Sequence, residues 1–228
     1  MSKGSSSVRL FKFRAASHLE FAFDIIAKKR LFCSDWRALN DPREGVFAYT
    51  YSGNEHAMHR GLLDQIVTEK THLKVCSLSG TVANPLLWAH YAEGFKGIAI
   101  EVELPINPKI LYPVRYIDEP YTVEGDTRSS HAIAVDALTR KMPFWRYESE
   151  IRILWKSNYF SLESDAIKAV HGGIAIDSSI EDVVSTYCSK IGVHYFKSKI
   201  SGNRIVSGLT GTSKTDQVDT IVIAALGT

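Results

Sequence analysis

The chain is short of cysteine. Its 228 residues hold three, Cys33, Cys76 and Cys188, widely spaced and without a CxxC pair. Such a set supplies neither a disulfide framework nor a zinc ribbon, and it suits a reducing compartment. Charge imbalance is lacking too, with a formal net charge of +2. A nucleic-acid binder usually shows a marked basic stripe; the clusters Lys28-Lys29-Arg30 and Lys197-Ser198-Lys199 read instead as solvated faces. No run of about 18 apolar residues offers an ordinary transmembrane helix. The polar lead Met1–Ser7 has no apolar centre, so it is not a secretory signal. These absences predict a cytoplasmic protein with no membrane partner. P-loop, GxGxxG after a strand, HExxH and the Gly-x-Ser-x-Gly elbow are all missing, and His72 and His90 are not spaced as metal ligands. No metal is expected.

What is present is a composition, 45% hydrophobic and 23% charged, that can bury a sizeable core. Residues 1–7 read as a flexible lead and 8–228 as a single α+β domain, with a mixed, largely antiparallel sheet flanked by helices. Val8–Arg14 reads as a half-buried strand alternating apolar and basic residues. Ser17, with Glu20 three positions on, predicts a capping box for the next helix. A helix is expected near 54–70, then a strand over His72–Ser79. Asn84-Pro85 opens a helix carrying Trp88, His90 and Tyr91, stopped by Gly94 and Gly97 before the strand Ile98–Val102. Further strands are expected at Val114–Ile117, Glu150–Trp155, Gly192–Phe196 and Thr220–Ala224, with helices near 130–141 and 179–190. Segment 201–219, rich in Ser, Gly, Thr and Lys, reads as a mobile loop.

The most informative stretch is Phe144-Trp145-Arg146-Tyr147-Glu148-Ser149-Glu150-Ile151-Arg152. On an extended strand, Glu148 and Glu150 share one face with Arg152. Two readings stay open: a pair of acids beside aromatic walls, suited to acid/base or ribose-binding chemistry, or a ladder in which Arg152 neutralises Glu150. Ser77 and Ser79 share a face at the end of a strand. Trp88 and Tyr91, three apart on a helix, share a face that His90 does not. Asn40-Asp41-Pro42 reads as a structural turn or as a loop flanking a pocket that includes Trp145.

The order of Phe11-Lys12-Phe13-Arg14, Asn40-Asp41-Pro42 with Glu44, Cys76-Ser77-Leu78-Ser79, Trp88-Ala89-His90-Tyr91-Ala92, Gly97–Glu101 and Trp145–Arg152 resembles that of the bacterial domain-of-unknown-function 2971 family. Arg43 departs from it, standing where the family often has an aromatic residue. More distantly, Arg, then Ser-x-Ser, then Glu-x-Glu is similar to the arginine–serine–glutamate class of ADP-ribosyltransferases, although Leu78 stands where a threonine is usual. That second resemblance implies NAD as substrate and a macromolecular acceptor, protein or nucleic acid, as in a toxin, effector or phage-defence enzyme. It implies that Arg14 meets the pyrophosphate and that Ser77 and Ser79 brace the nicotinamide pocket. Trp88, Tyr91 or the neighbouring His90 would line it. Glu150 would stabilise the ribosyl cation and Glu148 would activate the acceptor. Two alternatives remain at this point. One is a non-catalytic module in which Trp88, His90, Tyr91 and Trp145 contact nucleic acid or a partner protein. The other is a metal-dependent nuclease using Asp41 with Glu148 or Glu150.

Overall fold

A computed structural model describes residues 6–49, 56–123, 128–202 and 204–207. Strand β1 (Ser7–Arg14) leads through a 3-10 turn to helix α1 (Leu19–Lys28) and the short β2 (Arg30–Phe32). Then come α2 (His56–His72), β3 (Lys74–Ser79), α3 (Pro85–Tyr91), β4 (Ile98–Pro105), β5 (Leu111–Pro113) and β6 (Arg115–Tyr116). Helix α4 (Ser130–Ala137), β7 (Arg140–Lys141), β8 (Glu150–Trp155), β9 (Tyr159–Ser161) and β10 (Ile167–Gly172) follow. Helix α5 (Ser178–Lys190), β11 (His194–Lys197), β12 (Lys199–Ser201) and β13 (Arg204–Val206) complete the described elements.

The main sheet has seven strands in the order β11-β10-β4-β1-β3-β8-β5. Only its β10–β11 pair is parallel, so the α+β class with a largely antiparallel sheet is what the chain adopts. No helix among the described residues is long and apolar enough to cross a membrane.

Strand β1 is not half-buried. The apolar alternation slips at Leu10-Phe11, so Val8 and Leu10 face one core and Phe11 and Phe13 the other. A strand covered on both faces has no solvent side for its basic residues. Lys12 and Arg14 therefore end up inside, half-buried, on the Leu10 side. The sheet provides room for them because β1 and β3 pair only at Phe11↔Ser79 and then diverge. By contrast, β1 and β4 pair along their whole length.

Several expected elements move. The Ser17 capping box does not form, because the Ser17 amide donates to Glu93 Oε2 at 2.8 Å and α1 begins only after the 3-10 turn Ala16–His18. Helix α4, capped by Ser129, stops at Ala137, short of residue 141. Thr139 turns its hydroxyl back to the Val135 carbonyl at 2.8 Å, and Arg140–Lys141 pairs in parallel with β6. Lys199–Ser201 and Arg204–Val206, partly inside the expected loop, pair as the antiparallel strands β12 and β13. The remainder of that loop and the expected strand Thr220–Ala224 lie outside the described residues, apart from Ser201, Gly202 and 204–207.

Gly97 marks the entry to β4 for a steric reason. A Cβ there would lie 2.1 Å from the Arg14 carbonyl oxygen, a backbone atom that cannot step aside cheaply. Gly97→Ala is expected to lower stability by about 1–3 kcal/mol, the usual cost of forcing a packed backbone apart. Urea unfolding followed by far-UV circular dichroism measures it; an unchanged midpoint contradicts the close approach.

Candidate functional site

Where β1 and β3 part, a cavity of about 110 Å³ opens, with Lys12 and Arg14 on one wall, Ser77 and Ser79 on another, and Asn40, Tyr91, Lys141, Glu148 and Glu150 completing it. Asn40, Arg14, Ser77, Ser79, Tyr91, Glu148 and Glu150, all singled out in the sequence, thus meet in one place. Their elements are β1, the loop after β2, β3, α3, the 3-10 turn Pro143–Glu148 and β8.

Glu148 and Glu150 do not come together as alternate residues of one strand. Glu148 ends the 3-10 turn, and Ser149 takes a left-handed conformation (φ 43°) before β8 starts at Glu150. A non-glycine residue there costs of order 1 kcal/mol or more, and the surroundings hold it. The Ser149 carbonyl accepts from the Gly80 amide at 2.8 Å. Ser79 donates its hydroxyl to the Glu148 carbonyl at 2.7 Å, and the Tyr116 hydroxyl accepts the Glu150 amide at 2.8 Å. Ser79 therefore braces the acid-bearing turn.

Behind the cavity lies a cluster of five buried charges: Glu44, Lys141, Glu148, Glu150 and Arg152. Arg152 holds Glu150 with a two-pronged contact, Nε to Oε1 at 2.8 Å and Nη2 to Oε2 at 3.1 Å, and donates to the Leu138 carbonyl at 2.6 Å. The salt bridge that formed the second reading of this stretch is thus present. Arg152 Nη2 also lies 2.5 Å from Glu44 Oε2, off the hydrogen-bonding direction. Lys141 Nζ meets Glu148 at 2.6 Å, Glu150 at 3.2 Å and Glu44 at 3.4 Å. The Tyr91 hydroxyl donates to Glu148 Oε1 and accepts from Asn40 Nδ2 at 2.6 Å.

The two acids are driven in opposite directions. Burial pushes Glu150 up, but Arg152 and Lys141 outweigh it and hold its carboxyl well below the usual range. Burial raises Glu148, and Lys141 and the Tyr91 hydroxyl only partly oppose this. Glu44 is likewise raised by burial against Arg152 and Lys141. On the opposite wall, burial lowers Lys12 and Arg14. Lys12 Nζ donates to the Ser77 carbonyl at 2.7 Å, and Arg14 Nε is buried without a partner. Neither cation has a carboxylate within ion-pair distance among the described residues, so positive charge on this wall is left uncompensated by an acid.

Other expected site residues lie elsewhere. Trp88 is core: its indole donates to the Val82 carbonyl at 2.7 Å and packs edge-on against Phe13. It cannot stack on a ligand. His90 is exposed, beside the Tyr147 ring and outside the cavity. Asp41 is buried, takes the Arg43 amide at 2.9 Å and lines a neighbouring cavity instead of joining Glu148 and Glu150. Trp145 lies under Lys141, whose Nζ is 4.7 Å from its ring centre. Among the described residues, no group of three or more His, Cys, Asp or Glu side chains is placed to hold a metal ion. Lys12, Glu44, Tyr116 and Lys141 were missed. Glu44 stood in the Asn40-Asp41-Pro42 motif, whereas Lys141 carried no signal, since its position depends on where α4 stops.

No family model, no curated protein and no solved structure matches this chain.

Removing one side of the charge cluster should be costly, because it strands buried charge. Arg152→Met is expected to destabilise by about 3–5 kcal/mol at neutral pH. The pH dependence has a definite sign. Glu150, depressed in the folded state, contributes stability above its unfolded pKa that is lost as pH falls toward the folded value. Glu44 and Glu148, raised in the folded state, act oppositely. In urea titrations from pH 7 down to 3, Glu150→Gln should start less stable and lose less on acidification than the parent. A steeper acid loss in the variant contradicts the assignment.

Proposed function

We propose that this cleft binds NAD and transfers its ADP-ribosyl group to a macromolecule, in the manner of the arginine–serine–glutamate transferases. The observation that carries this reading is the facing arrangement of two cations without carboxylate partners, Lys12 and Arg14, and two carboxylates held in different states, Glu150 and Glu148. Environments that drive neighbouring acids apart are how a site separates a permanent anion from a proton acceptor. Glu150 is the anion, suited to a developing ribosyl cation. Glu148, raised, with Tyr91 and Lys141 on its carboxylate among the described residues, is the proton acceptor.

The chemistry follows from those roles. The bond between ribose C1′ and the nicotinamide nitrogen breaks, and its electron pair leaves with neutral nicotinamide. The acceptor's lone pair then forms a bond to C1′ while its proton passes to Glu148. Arg14, with a free Nε, and Lys12 supply charge for the pyrophosphate. At about 110 Å³ the cavity is smaller than the ~150 Å³ that holds a benzene, so it must widen to take the nicotinamide ring. It falls short of the ~300 Å³ of a whole-ligand pocket. The nicotinamide would occupy the cavity and the rest of NAD would lie along the open rim. Such chemistry suits the effector, toxin or phage-defence roles implied by the resemblance.

The test is nicotinamide release from NAD by the purified protein beside Glu148→Gln, Glu150→Gln and Arg14→Gln. The parent should release nicotinamide. Glu150→Gln should lower the rate by about 10²-fold or more, the scale of a lost transition-state electrostatic contact. Arg14→Gln should act mainly through KM. Melting curves of each variant at the assay temperature separate lost chemistry from lost folding. No release by a folded parent, with or without polynucleotide or protein acceptor, rejects the reading and favours a non-catalytic binding module, to which the engagement of Glu150 by Arg152 is equally congenial.

A further inference from the structure

The 3-10 turn that carries Glu148 also carries a row of rings. Phe144, Trp145 and Tyr147 follow one another with centroids 5.6 and 6.0 Å apart, and His90 of α3 continues the row 6.0 Å beyond Tyr147. His90 in turn contacts Tyr91, whose hydroxyl holds Glu148. Successive rings are tilted by 38–48°, so their faces are not closed against one another. Phe144 is 65% exposed and His90 is exposed, while Trp145 and Tyr147 are half-buried. A surface phenylalanine ahead of a row of rings is not needed by the core. The row is flanked by cations: Arg146 lies within it and Arg43 reaches its base at Met142. Both are exposed, and neither has a carboxylate partner among the described residues.

We propose that this row docks a single-stranded nucleic acid and presents an unpaired base to the cleft at Glu148. The inference rests on the transferase reading above for its chemistry, though not for its binding. A peptide is the weaker occupant. Rings at near-regular spacing, with arginines lacking carboxylate partners beside them, match what single strands need: a sequence-tolerant stacking surface and charge for the backbone. Duplex bases are already stacked and offer the rings no free face. A nitrogen of the presented base attacks C1′ as the nicotinamide leaves, and its proton goes to Glu148. The acceptor class is therefore nucleic acid rather than protein.

Fluorescence anisotropy with a short labelled oligodeoxynucleotide of mixed sequence tests the surface directly. The parent should bind the single strand at low salt and release it as salt rises. Phe144→Ala, at an exposed position that should not disturb folding, is expected to weaken binding about tenfold, within the range for one stacked base. Arg146→Ala should reduce the salt slope by about one. Absence of binding, binding unaffected by Phe144→Ala, or tighter binding of the matching duplex overturns the proposal. Nicotinamide release without oligonucleotide should be unchanged in Phe144→Ala. If release fails while strand binding holds, the transferase reading falls and the docking surface stands. If release holds while strand binding fails, the acceptor is not nucleic acid.

Discussion

Five charged side chains with almost no exposed surface are held together by one another, and most of the site's geometry follows from that. Glu44 comes from the loop after β2, Lys141 from β7, Glu148 from a 3-10 turn, and Glu150 and Arg152 from β8. Each ion is tolerable in a dry interior only because the others are in place. Apolar residues of similar volume would often give equal or greater stability. The cluster therefore acts less as a source of stability than as a means of fixing two carboxylates beside a cavity. Its three acids and two bases face the two cations of β1.

That facing pair of walls exists because the sheet splits. Antiparallel strands that paired fully would close the gap between Lys12 and Ser77, as β1 and β4 do on the other side. Instead β1 leaves β3 after one registered pair, and Ser34 takes up Val75, toward the start of β3. The free space falls beside Arg14 and Lys12, whose hydrogen-bond partners among the described residues are backbone carbonyls: Ser77 for the lysine, Phe13 for the arginine. Strand divergence, two cations without ion-pair partners and a charge cluster behind the opposite wall are thus one feature seen from three sides.

Much of this was legible in the chain. β8 was expected at Glu150–Trp155 and lies there, and α3 was marked by Asn84-Pro85, where Asn84 caps the helix. The converging residues stood in the correct order along the sequence. What failed did so because tertiary contacts outrank local signals. The Ser17 amide went to Glu93, 76 residues away, in place of its own capping box. The Glu148–Glu150 spacing looked like a strand, yet the left-handed Ser149 produced the shared direction by a different route. β10 was overlooked because Ala169, Val170, His171 and Gly172 make a weak strand pattern. Gly172 is there since any Cβ would strike the Tyr195 hydroxyl. Trp88, which the resemblance implied would line the nicotinamide pocket, proved to be core, as a large aromatic on a short helix against a sheet usually must.

The two acids differ in how firmly they are held, and that asymmetry bears on which can take part in a reaction. Glu150 is gripped by a two-pronged guanidinium contact and by Lys141, all buried, so freeing it means stranding Arg152. Glu148 is held toward the cavity mouth by single contacts to Tyr91 and Lys141, and Tyr91 is in turn held by Asn40. A single hydrogen bond to a carboxylate is worth about 1.5–3 kcal/mol net, whereas stranding one partner of a buried ion pair costs about 3–5 kcal/mol. If the cavity takes a ring-sized ligand it must widen, and the Asn40–Tyr91–Glu148 chain is the least costly place for it to yield. Breaking the Tyr91 contact there would leave Glu150 in position and release one oxygen of Glu148.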